Sequence, residues 1–104
     1  MEKNEMIKAI QAVLNIERPN EDVYYKLLRD LEAEKTNYYD YMTTEPMKCD
    51  IELERLPDAD FDLCAALLTM VLREDHFMNG SLMRRYEKGQ VDDILKRMID
   101  TLDK

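Results

Sequence analysis

The chain has 104 residues and a formal net charge of −8, from 23 Asp and Glu against 15 Lys and Arg. Its 45% hydrophobic content excludes a disordered acidic tail, and two glycines and three prolines leave too few turn formers for a barrel or sandwich of many short strands. The length suits one domain with one modest core, residues 1–104 forming a single helical unit.

Two cysteines are too few for a disulfide scaffold, which places the chain in the cytoplasm with both thiols free. The opening residues show neither the apolar stretch nor the cleavage site of a signal peptide. The longest uncharged run, Leu63 to Leu72, would span about 15 Å as a helix, half of a bilayer core. No membrane association is therefore expected. The acidic balance repels phosphates and argues against direct nucleic-acid binding.

Helical periodicity runs through most of the chain. Met6, Ile7, Ile10, Val13 and Leu14 make a first stripe, with Asn4 as the expected cap. Arg18-Pro19-Asn20 breaks it, and Asn20 caps a second helix carrying Val23, Tyr24, Leu27, Leu28 and Leu31. Residues 35–47 hold Tyr38, Tyr39 and Tyr41 without a clean period and read as a loop with one helical turn. Met47, Cys49, Ile51 and Leu53 alternate with polar residues, a strand pattern. A strand would have no partner here, so a short helix capped by Asp50 is the preferred reading.

A central helix is expected over about 58–74, apolar nearly all round and hence buried on most sides. Ser81 is the expected cap of a short helix that Gly89 closes. The last helix carries Val91, Ile94, Leu95, Met98, Ile99 and Leu102, a stripe that would also suit a dimer seam. The expected fold is all-α, a bundle of five or six short helices around the central one.

Within Leu56 to Leu102, Ala65-Ala66-Leu67-Leu68-Thr69 is followed by Arg73-Glu74-Asp75-His76-Phe77-Met78-Asn79-Gly80. This resembles a small bacterial family of unknown function, in which an A-L-L-T helix precedes R-x-E-R-F-x-x-G. Arg73, Phe77 and Gly80 coincide with that pattern, and Asp75-His76 stands where Glu-Arg is commoner. The resemblance implies a helical fold and no activity.

Three chemistries can be drawn from single residues. A hydrolase or nuclease would use Glu74, Asp75 and His76, with Ser81 as a nucleophile. Neighbouring Asp75 and His76 diverge by about 100° on a helix, and no Gly-rich oxyanion loop is present. Zinc would need Cys49, Asp60, Cys64 and His76. Cys64 and His76 are about 18 Å apart along one continuous helix, so the chain would have to fold back. A mildly basic C-terminal region, Arg84, Arg85, Lys88, Lys96 and Arg97, faintly suggests a helix-turn-helix but is interrupted by acids. No cofactor is expected, with zinc as the alternative.

Charge placement is the more informative feature. Residues 45–62 hold seven acids against Lys48 and Arg55, directly after the tyrosine cluster. Tyrosine is enriched at interfaces, and an acidic segment beside it suits a basic groove. The expected function is a non-catalytic, acidic inhibitor or regulator, monomeric or homodimeric, that imitates nucleic acid to a basic nucleic-acid-handling protein. An anti-defence protein of a phage or plasmid, of the anti-CRISPR type, has this character. The expected contact residues are Tyr38, Tyr39, Tyr41, Glu45, Glu52 and Glu54.

Overall fold

The computed structural model describes all residues, 1–104, and every regular element is helical. The elements are α1 (Lys3–Leu14), α2 (Glu21–Asp30), a 3-10 turn at Tyr38–Tyr41, α3 (Cys49–Leu53), a second 3-10 turn at Leu56–Asp58, α4 (Phe61–Phe77), α5 (Ser81–Glu87) and α6 (Gln90–Leu102). The alternating segment at residues 47–54 is thus helical, as the lack of a strand partner requires. No helix is long and apolar enough to cross a membrane.

Every residue of α4 from Cys64 to Leu72 is buried. A helix without a polar face must be covered all round. The helix α6 packs most extensively on α4, and α1 lies on α6 and α2. The α5 and α3 helices and the Tyr38–Tyr41 turn close the remaining flanks of α4. The 22 buried apolar residues form one cluster. The α6 stripe of Val91, Ile94, Leu95 and Met98 is fully buried inside the monomer, so it is not a free seam for a second copy.

Several helix ends differ from the sequence reading, each for a local reason. The first helix begins at Lys3, not after Asn4, and the Glu2 N–H donates to Glu5 Oε1 at 3.4 Å. Asn20 does cap α2, accepting from the Val23 N–H at 3.2 Å. The central helix runs over Phe61–Phe77 rather than about 58–74. Pro57 and Asp58 belong to the separate 3-10 turn, and Asp60 caps α4 by accepting from the Leu63 N–H at 2.8 Å. Lys48, not Asp50, precedes α3, and its N–H donates to Thr44 Oγ1 at 2.8 Å.

Ser81 is the first residue of α5 rather than its cap. Gly80 takes that place at φ 88°, a left-handed conformation that L side chains rarely adopt. The capping acceptor comes from α4 instead. Asp75 Oδ1 accepts from the N–H groups of Gly80 and Leu82, both at 3.1 Å.

Tyr24 fills the core between α2 and its neighbours at 1% exposure, yet its buried hydroxyl has no hydrogen-bond partner. Burial raises the pKa of this phenol. Removing an unsatisfied hydroxyl while keeping the ring is neutral or stabilising. Tyr24→Phe is expected to leave stability unchanged or raise it by up to about 1 kcal/mol, whereas Tyr24→Ala is expected to cost about 3–5 kcal/mol. Urea denaturation of the two variants checks this.

Candidate interaction surface

Two carboxylates, one buried and one half-buried, shape the surface where the predicted contact residues lie. The first is Glu52 on α3, which is 0% exposed. Its Oε2 accepts from the Thr43 N–H at 2.9 Å and the Thr44 N–H at 2.7 Å, and the Thr44 hydroxyl also donates to it. Its Oε1 accepts from Thr43 Oγ1 at 3.1 Å and from Arg55 Nη1 at 2.9 Å. The same Arg55 nitrogen donates to the Tyr41 carbonyl at 2.7 Å. One carboxylate therefore fastens the segment after the tyrosine cluster onto α3. Glu52 is thus not a surface contact residue, because five donors from its own chain turn it inward.

Burial pushes the Glu52 pKa up, but the hydroxyl, backbone and guanidinium donors together outweigh it and hold the carboxyl at about 2. The second carboxylate is Glu74 on α4. It forms a two-pronged ion pair with Arg85 of α5, Nε to Oε1 at 2.6 Å and Nη2 to Oε2 at 2.9 Å. Arg85 also donates to Asp50 Oδ1 at 2.9 Å and Gln90 Oε1 at 3.0 Å. The guanidinium holds both Glu74 and Asp50 below the usual carboxylate range.

These commitments thin the acidic segment. Asp50 is paired with Arg85, Asp60 caps α4, Asp62 pairs with Lys35 at 3.0 Å, and Glu52 is buried. Glu45, Glu54 and Asp58 are exposed and make no ion pair. The basic C-terminal region is thinned in the same way, with Arg85 held by acids and Arg97 Nε donating to the Ala59 carbonyl at 2.9 Å.

The tyrosines divide. Tyr38 is buried against α4 and Tyr41 is half-buried, so Tyr38 offers no contact surface. Tyr39 is 61% exposed and stacks on Tyr38 with ring centroids 4.4 Å apart. Tyr39 shares a groove with Met47, Phe77 and Met78 at the C-terminal end of α4. Phe77 is 83% exposed and Met78 56%. A second groove continues from Tyr39 and Met47 to Glu45 and Pro46. The result is a continuous face with aromatic and methionine anchors and Glu45 at its rim.

Phe77 and Met78 belong to this face, and the contact set expected from the sequence did not include them. Their signal was present: Phe77 follows the polar run Arg73-Glu74-Asp75-His76 on the same helix, so it lies one turn beyond the last buried residue, Leu72.

The other chemistries are not assembled. No group of three or more His, Cys, Asp or Glu residues is placed to hold a metal ion. Cys64 is in the core near the start of α4, Asp60 caps that helix, and His76 is at its far end, 3.6 Å from Glu21. Cys49 is half-buried beside Glu74. Burial pushes both thiols up to about 12, which keeps them protonated near neutrality. Glu74 and Asp75 are engaged with Arg85 and with backbone N–H groups, and the Ser81 hydroxyl is buried beside Glu74.

Glu52→Gln is expected to cost about 2–4 kcal/mol, because it leaves Arg55 and several donors without their anion. The wild-type carboxyl has a folded pKa near 2 against an ordinary 4.5. A depressed folded pKa means that its contribution is complete above about pH 4.5 and is lost as pH falls toward 2. Thermal unfolding from pH 7 to pH 2 is expected to show a shallower acid decline in the variant than in the wild type.

No curated protein and no solved structure matches the chain. Residues 9–104 match the family model described as Family of unknown function (DUF6508), and the chain belongs to that family.

Proposed function

We propose that this protein is a non-catalytic binding protein, a small inhibitor or regulator that docks its Tyr39–Phe77–Met78 face onto a basic, nucleic-acid-handling partner. The observation that carries this reading is the 83% exposure of Phe77 beside exposed Tyr39 and Met78 on one groove. Exposed apolar side chains scattered singly need no explanation, but a contiguous set with aromatic anchors marks an interaction surface. The net charge of −8, with unpaired Glu45 on the rim, selects for a basic partner and speeds encounter with it.

The internal engagement of Asp50, Glu52, Asp60 and Asp62 shifts the reading away from broad imitation of a phosphate backbone. Apolar anchors supply the affinity and a few acids supply the preference. An anti-defence inhibitor that blocks a nuclease is the narrower form of this role.

The test is capture from host lysate on immobilised protein at low and high salt, comparing wild type with Phe77→Ala, Tyr39→Ala and Glu45→Lys. A basic nucleic-acid-handling protein is expected on the wild type. Phe77→Ala or Tyr39→Ala is expected to weaken it about 10-fold or more, the loss typical of a central anchor. Glu45→Lys is expected to reduce capture mainly at low salt. All three positions are exposed, and circular dichroism of the variants is the check on their folding. Capture of the same partner by Phe77→Ala at undiminished strength would sink the proposal, as would a partner that is acidic.

A further inference from the structure

We propose that the cleft between the segment after α2 and the flank of α4 is a binding site for a small organic carboxylate, with Arg73 as its anchor. The cleft has a volume of about 220 Å³ and is lined by Tyr25, Leu28, Lys35, Tyr38, Thr69 and Arg73. Arg73 and Tyr38 also border the groove of Tyr39, Phe77 and Met78, so the cleft adjoins the docking face, but the ligand argued here does not require a docked partner.

The charged groups around the cleft are unequally committed. Lys35 is held by Asp62 at 3.0 Å and lies 5.7 Å from the Tyr41 ring centroid. Arg55 and Arg85 are saturated by Glu52 and Glu74, and Arg18 pairs with Glu87 at 3.2 Å. Arg73 has no acid within ion-pair distance, although Glu34 stands on the same cleft. Beside it, the Tyr25 hydroxyl is closed off from bulk solvent and has no hydrogen-bond partner. Both groups line the cleft, where burial raises the Tyr25 phenol and the Arg73 guanidinium pulls it back. The same Arg73 charge acts on the Tyr38 phenol.

A buried hydroxyl without a partner is costly and rare. Here it lines the same cleft as a guanidinium that has no acid partner. A carboxylate completes that arrangement. The planar fork of arginine matches its two oxygens, and the phenol O–H donates to one of them. Leu28 and the Tyr38 ring supply the apolar wall for the rest of the ligand.

Charge and size narrow the class. Glu34 on the rim, Asp62 behind Lys35 and the −8 of the whole chain disfavour a phosphate dianion and tolerate a monoanion. The volume is below the range of roughly 300–1,000 Å³ typical of drug-sized sites, which suits a ligand of about the size of benzoate.

The experiment titrates benzoate, benzamide and inorganic phosphate into the 15N-labelled full chain and follows amide shifts. Saturable shifts with benzoate are expected at residues 34–36, 69 and 73. Benzamide is expected to bind at least about 10-fold more weakly, since it offers no charge to Arg73. Arg73→Met is expected to lose binding about 10-fold or more, and Arg73→Lys to weaken it because the fork is gone. Tyr25→Phe is expected to weaken it about 3- to 10-fold. Arg73 is exposed, so its variants keep the fold, which the remaining amide signals verify. Absence of saturable shifts with benzoate would overturn the site. So would equal binding of benzamide, indifference to Arg73→Met, or tighter binding of phosphate.

Discussion

A 17-residue helix with nine consecutive buried residues has to be wrapped on every side by a chain of 104 residues. That constraint organises the molecule. The α6 helix covers one side of α4 and is itself backed by α1, while α5, α3 and the Tyr38–Tyr41 turn cover the rest. Little chain is left over, and the covering stops at Leu72. Beyond it α4 continues for five more residues, and the side chains there face water or one another. Arg73 borders the cleft, Glu74 and Asp75 hold α5, and Phe77 stands out with Met78 after it. Both proposed sites thus lie where the wrapping ends.

The polar groups of that terminal stretch explain why it is rigid enough to present a surface. Glu74 grips Arg85 with two hydrogen bonds, and Asp75 supplies the acceptor for the first turn of α5. A seven-residue helix has little stability of its own, so these two side chains from α4 set its position. On the other side, stacking of Tyr39 on the buried Tyr38 limits where the exposed ring can go. The anchors of the docking face are therefore held by neighbours that are themselves fixed, which lowers the entropy cost of binding.

The fold was largely legible in the sequence and the surface much less so. Periodicity in α1, α2 and α6 and the unbroken apolar run of α4 reflect burial, which acts on whole stripes and leaves a repeating trace. The caps were less legible because an acceptor can come from another element: Asp75 on α4 does the work expected of Ser81. The acids around residue 50 looked alike in sequence, yet Glu52 is buried, Asp50 reaches Arg85 and Glu45 is free. Which carboxylate turns inward depends on where Thr43, Thr44 and Arg55 bring their donors, and no local pattern encodes that. Tyr38 and Tyr39 are adjacent and face opposite environments for the same reason. Phe77 needed only the boundary of the covered part of α4, and it lies three residues beyond the sequence-derived helix end.

The Glu52 latch also sets how this molecule comes apart. The stretch from Glu32 to Lys48 has no α-helix; Ala33 and Tyr38 bury its first half in the core, and its second half is fastened by the Glu52 side chain. Losing that attachment frees the end of the stretch, residues 43–48, without dissolving the packing of α4 on α6. The chain therefore has two tiers of opening, a shallow one confined to this flap and a deep one that needs the whole core to dissolve. Amide hydrogens in the flap exchange through the shallow route, and those in the middle of α4 through the deep one. A protease would find its first cleavage sites in the flap.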